Sequence, residues 1–149
     1  MSAFKLNPVM IATPPSVLSI LVADDEEGIR SLFVTWLGKF GHSVTCAATG
    51  RHAMDLIARQ HFDLVITDVM MPDGDGFELI PEVRRNQPDA RILVISGGGQ
   101  YIPSSECLAL ARGLGAHGAI LKPFHWEQAR SVISAVFPAG VELGAEAAA

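Results

Sequence analysis

Five short apolar runs, alternating regularly with amphipathic segments, limit the folds open to this chain. The runs cover residues 17–23, 42–47, 62–67, 91–96 and 119–121. The first reads Val-Leu-Ser-Ile-Leu-Val-Ala and is almost unbroken, as a strand covered on both faces must be. Helical patterns lie between the runs. Ile29, Leu32, Phe33, Trp36, Leu37 and Phe40 recur at helical spacing until Gly41 stops them. Residues 51–60 offer Ala53, Leu56 and Ile57 for packing, and the segment after the third run offers Phe77, Leu79, Ile80 and Val83. Pro81 falls inside that last pattern. An interior proline costs about 3 kcal/mol, so this helix is predicted either to start late, with Pro81 in its first turn, or to kink there. Ser104 and Ser105 can cap a fourth helix carrying Leu108, Ala109, Ala111 and Leu114. Trp126, Ala129, Val132, Ile133, Val136 and Phe137 give a final helix one apolar stripe.

A strand–helix unit repeated five times, with strands too short and buried for hairpins, predicts an α/β fold. Its sheet is parallel and carries helices on both faces. All five carboxyl ends then emerge along one edge, where open α/β sheets bind ligands. The first strand runs into Asp24-Asp25, the third into Asp68, the fourth into Ser96 and the fifth into Lys122-Pro123. Taken singly, each has a plainer explanation. Asp68 could cap the turn after it, Asp24 could cap the first helix, Ser96 could be an ordinary strand-end hydroxyl, and Lys122 a solvated charge. Together they fall on one sheet edge. Two carboxylates about 5 Å apart repel by roughly 3 kcal/mol at an effective dielectric near 20. Three of them call for a cation, and Mg²⁺ characteristically takes one or two carboxylates while keeping waters and phosphate oxygens. With Lys122 added, the cluster is built to handle phosphate.

Length and charge bound the remaining choices. A chain of 149 residues is read as one domain that needs no disulfides, and with only Cys46 and Cys107 a reducing compartment is expected. The formal net charge of -5 argues against a nucleic-acid surface. Residues 1–16, interrupted by Pro8, Pro14 and Pro15, match a signal peptide poorly and are read as a flexible leader; residues 139–149 are read as a low-complexity tail. The run at 17–23 is far short of the roughly 20 residues a membrane helix needs. Asp73-Gly-Asp75-Gly lacks the further ligands of a calcium loop, and His42, His52, His61, Cys46 and Cys107 show no zinc spacing.

Asp24-Asp25, Asp68 within Asp-Val-Met-Met-Pro, Ser96 and Lys122-Pro123-Phe124, in this order on this βα pattern, resemble the receiver domain of bacterial two-component response regulators. The resemblance spans residues 17–137 and sets a receiver domain at 17–138 with a flavodoxin-like (βα)5 fold. It implies that Asp68 is the phospho-acceptor for a histidine kinase or histidine phosphotransfer protein. It further implies that Asp25, Asp68 and the main-chain carbonyl of Met70 bind Mg²⁺, for which Mn²⁺ can substitute, with Asp24 acting through a bound water. Lys122 would pair with one phosphoryl oxygen and Ser96 would donate to another, as in-line transfer requires. The Lys122–Pro123 peptide is expected to be cis.

Three positions depart from the family pattern. Ala119 stands where an aromatic switch residue is usual, which leaves Ser96 and its loop, or His117, Phe124 or Tyr101, to carry the signal. Residues 97–103 form a longer, Gly-rich loop after the fourth strand, without the spacing of a phosphate-binding loop, and are expected to be the mobile switch element. Gly74 replaces a bulky apolar residue and is expected to loosen its turn.

The function expected is therefore a cytoplasmic, stand-alone signalling switch rather than an enzyme, acting by phosphorylation-dependent binding of an unidentified protein target. The expected contact surface is the fourth helix, fifth strand and fifth helix, around Leu110, Ala119 and the exposed side of residues 126–136. A phosphorelay intermediate that passes its phosphoryl group to a histidine phosphotransfer protein is the alternative. An aspartate-nucleophile phosphatase is more remote, because the position two residues after the nucleophile is Met70 and not an acid.

Overall fold

A computed structural model describes residues 17–97, 104–138, 141 and 143. Strands β1 (Ser19–Ala23), β2 (Ser43–Ala47), β3 (Leu64–Asp68), β4 (Arg91–Ser96) and β5 (Gly118–Leu121) alternate with five helices. These are α1 (Glu27–Gly38), α2 (Gly50–Arg59), α3 (Gly76–Asn86), α4 (Ser104–Leu114) and α5 (Trp126–Ala135). The strands form one sheet in the order β2-β1-β3-β4-β5, and every neighbouring pair is parallel. This is the flavodoxin-like arrangement expected from the sequence. The strand order reverses between β1 and β3, and a crevice opens beyond the carboxyl ends at such a switch point.

Alternation along each strand fills two cores. In β1, Leu21 and Ala23 join the core that holds Ala53 and Ile57 of α2 and Leu79, Ile80 and Val83 of α3. Ile20 and Val22 join the other, with Phe33 and Leu37 of α1 and Ala129 and Ile133 of α5. A strand buried on both faces has no polar phase, which is why its sequence reads as continuously apolar. Each fully buried large apolar side chain contributes about 1.5–3 kcal/mol, so the two cores hold the strand ends rigidly in place.

Helix starts follow local capping chemistry. Thr49 accepts a bond from the His52 N–H at 3.1 Å and opens α2; Asp75 does the same for Glu78 at 3.1 Å and opens α3. Because Asp75 fixes the start, α3 does not begin late, and Pro81 lies inside it. The proline supplies no N–H for the carbonyl four residues earlier, a loss offset by burial of Leu79, Ile80 and Val83. The residue at the α1 N-cap is Glu26, not Asp24.

Of the segment read as a tail, residues 141 and 143 are described. Leu143 is buried in the core beneath α1 and α5, and Val141 packs against it. The leader at 1–16, the loop beyond Gly97 through residue 103, Tyr101, and the side chains of Ser104 and Cys107 lie outside the described residues. Among the described residues, no helix is long and apolar enough to cross a membrane.

Candidate functional site

Strand register assembles the site. Ala23 pairs with Thr67, so Asp24 and Asp68 leave adjacent strands side by side. Asp68 pairs with Ile95, which brings Ser96 alongside, and Ser96 pairs with Leu121, so that Lys122 follows at once. The Lys122 N–H donates to the Ser96 carbonyl at 2.9 Å. Asp24, Asp68 and Ser96 are all buried.

The side chains converge as their register suggests. Lys122 Nζ donates to Asp68 Oδ2 at 3.0 Å and to Glu26 Oε1 at 3.0 Å, and it pairs with Asp24 Oδ2 at 3.3 Å. Asp68 Oδ1 accepts from the Met70 N–H at 3.1 Å, and Asp24 Oδ1 from the Glu26 N–H at 2.8 Å. Carboxylate oxygens of Asp24, Asp25 and Asp68 lie within 4.8 Å of one another. Burial pushes the Asp24 carboxyl up to about 6; the Glu26 N–H opposes this, the Asp68 charge adds to it, and Lys122 opposes it. Burial by itself would lower Lys122, but its bonds to Asp68 and Glu26 and the nearby acids outweigh that and hold it above the usual lysine range.

The site fits a divalent cation. Asp24 Oδ2 is buried and accepts no hydrogen bond among the described residues, while two further carboxylates stand beside it. One ammonium does not balance that charge, and a hard cation with oxygen ligands does.

Close backbone packing fixes the turn after Asp68. A Cβ on Gly76 would stand 2.4 Å from the Asp68 carbonyl oxygen, and one on Gly50 would stand 2.0 Å from that of Gly74. The Arg51 N–H donates to the Asp73 carbonyl at 2.8 Å. Gly74 adopts φ +101°, a conformation that glycine supplies without penalty, and its turn is clamped against α2 rather than loosened.

Lys122 is anchored from the other side. The Lys122–Pro123 peptide is cis, and Phe124 packs its ring 5.8 Å from Phe33 and 6.2 Å from Trp36. Trp36 in turn meets Trp126 at 5.2 Å. The sequence reading missed Glu26 as a partner of Lys122. The consecutive acids at 24–27 were its only signal. Of the alternative switch aromatics, Phe124 belongs to this cluster. His117 lies at the opposite sheet edge, where its Nδ1 accepts from the Ile92 N–H at 3.0 Å. Ala119 is partly buried against the α2–α3 core.

Comparison with known proteins gives a consistent result. The sequence profile of the family described as the response regulator receiver domain matches residues 20–134. The DNA-binding transcriptional regulator NtrC of Azospirillum brasilense is 36% identical over 118 residues, which are 79% of this chain and 24% of that protein. The chain thus spans only about a quarter of that relative's length. Sporulation initiation phosphotransferase F of Bacillus subtilis is 28% identical over 119 residues, 80% of this chain and 93% of that protein. The solved structure of chemotaxis protein CheY4 of Vibrio cholerae superposes with a TM-score of 0.72 at 30% identity, covering 80% of this chain and 98% of that one.

Proposed function

The chain belongs to the response regulator receiver domain family, and on that premise we propose that it is a signalling switch phosphorylated on Asp68 by a histidine kinase or histidine phosphotransfer protein. One observation carries the residue assignment. Asp68, at the end of the central strand β3, is the strand-end aspartate that accepts a hydrogen bond from the Lys122 ammonium, its other oxygen tied to the Met70 N–H, beside the buried Asp24 Oδ2 that accepts none among the described residues.

The chain's residues divide the work of in-line transfer. Asp68 supplies the attacking oxygen, aimed by the Met70 N–H. Lys122 offsets charge on the transferred group, as phosphoryl transfer demands of its surroundings. Ser96, buried at the end of β4, is the donor proposed for a second oxygen. Asp25, Asp68 and the Met70 carbonyl, with Asp24 through water, would hold Mg²⁺. When bound, the ion supplies the positive charge that three carboxylates and a phosphoryl group require. Autodephosphorylation by water at the same site belongs to this reading, as does a cytoplasmic setting.

Output is proposed to pass through a protein partner. Leu110, Leu114 and Leu121 are exposed on α4 and β5 and offer an apolar contact surface. A nearly complete switch of such a surface takes about 5.5 kcal/mol of differential stabilisation. A second reading, transfer of the phosphoryl group onward in a relay, is favoured by the likeness to the sporulation phosphotransferase over most of that protein's length. Measuring back-transfer from the phosphorylated chain to a histidine phosphotransfer protein separates the two.

The direct test is incubation with Mg²⁺ and acetyl phosphate, followed by intact mass measurement. Wild type is expected to gain one acid-stable, base-labile phosphoryl group, and Asp68→Asn none. Equal labelling of the two proteins, or none of wild type, refutes the assignment.

A further inference from the structure

The site described above leaves Glu26 without a task. An ammonium group carries three protons, and three carboxylates already surround that of Lys122: Asp68 and Glu26 at 3.0 Å and Asp24 at 3.3 Å. The lysine donates to Asp68 and Glu26 and is ion-paired with Asp24, so carboxylates hold it before any phosphoryl group arrives. Its partners are not equivalent. Asp24 is buried and tied by the Glu26 N–H, and Asp68 is nearly buried and tied by the Met70 N–H. The Glu26 side chain is 60% exposed and makes no capping bond to α1. It is the partner that can let go with the least loss.

We propose that Glu26 is a positioning residue that holds Lys122 in the resting site and yields it to the incoming phosphoryl group, slowing phosphorylation of Asp68 by small anionic donors. The inference rests on the reading of Asp68 as phospho-acceptor. In that step an Asp68 oxygen forms a bond to phosphorus while the donor's bridging P–O bond breaks. With acetyl phosphate, acetate leaves with the bonding pair, and no proton or electron is needed. Asp68 thereby gives up its carboxylate charge, and negative charge reappears on the phosphoryl oxygens. Lys122 must turn toward them. An exposed carboxylate on the same ammonium opposes both that turn and the approach of an anion.

The experiment follows the intact-mass time course with acetyl phosphate at saturating Mg²⁺, for wild type, Glu26→Gln and Glu26→Asp, at low and high KCl. Glu26→Gln is expected to react about three- to tenfold faster at low salt. Its rate should also rise less with added KCl, since salt screens a repulsion that the variant lacks. Glu26→Asp keeps the charge and should keep the salt dependence. A Glu26→Gln rate and salt response equal to wild type overturns the proposal. So does a slower rate with an unchanged melting temperature, which would make Glu26 a support for the lysine. Failure of wild type to gain phosphoryl mass, or equal labelling of Asp68→Asn, overturns instead the reading on which this one rests, and this one with it.

Discussion

Oδ2 of Asp24 lies 3.3 Å from Nζ of Lys122, yet among the described residues it accepts no hydrogen bond, and its residue has no solvent exposure. A carboxylate in that position is a poor stabiliser of the fold and a good ligand for a cation. The electrostatic cost falls where the proposed cation would bind, and the two cores make up for it.

The first prediction is that Asp24→Asn stabilises the metal-free protein. The folded carboxyl is raised from 3.8 to about 6, so the folded state holds its proton more tightly than the unfolded state. The resulting cost is fully present above about pH 6 and disappears as pH falls below the unfolded value. At pH 7 it amounts to about 1–3 kcal/mol, and asparagine removes it while retaining an oxygen for the Glu26 N–H. Urea unfolding at pH 7 in EDTA should show the variant more stable by that amount. At saturating Mg²⁺ the advantage should shrink or reverse, because wild type alone gains the full binding energy of the ion.

Glycines divide into those that fix the acceptor turn and those that do not. Gly76→Ala would drive a Cβ to 2.4 Å from the Asp68 carbonyl oxygen, whereas a Cβ on Gly28 meets nothing within 4 Å. The first substitution is expected to destabilise by about 2–3 kcal/mol and to slow phosphoryl capture at Asp68. The second lies in the first turn of α1, where the helix-propensity gain is smaller, and should stabilise by at most about 0.5 kcal/mol, leaving that rate unchanged. Thermal melts and acetyl phosphate time courses on both variants check the contrast.

Much of this site was legible because a parallel sheet converts sequence position into place. Asp24, Asp68, Ser96 and Lys122 each end a strand, and register alone gathers strand ends. Contacts that depend on side-chain reach were not legible. Glu26 meets Lys122 across 96 positions of sequence, and no periodicity encodes that pair. Pro81 left two readings open, and the cap at Asp75 decides against the late start, with burial of its neighbours outweighing an interior proline. The pairing of Gly50 with Gly74 was hidden for a different reason: each glycine is meaningful only in the presence of the other.

Leu143 carries a prediction of its own. It is 3% exposed and shares a core with Leu18 and Phe137, although the residues around it are small and of low complexity. Leu143→Ala should cost about 2–4 kcal/mol, the range for a buried leucine whose site cannot fully collapse. A loss under 0.5 kcal/mol in chemical denaturation would show that the segment is peripheral to the fold.

His117 provides a pH test remote from the acids. Its Nδ1 accepts from the Ile92 N–H, so the ring is held neutral, and burial, reinforced by Arg91 and Arg84, lowers its pKa from 6.5 to about 4. Between those values the unfolded chain binds a proton that the folded chain refuses. The stability His117 provides is therefore fully present above pH 6.5 and lost progressively as pH falls toward 4. The linked change is about 1–3 kcal/mol after allowance for partial solvent screening. Asp24 acts in the opposite sense over part of this window, so the informative quantity is the difference between wild type and His117→Asn. Unfolding free energies from pH 4 to 7.5 should show wild type losing stability relative to the variant as pH falls. Parallel curves would mean that the folded imidazole takes up its proton as readily as the unfolded one, against the hydrogen bond that its Nδ1 accepts from Ile92.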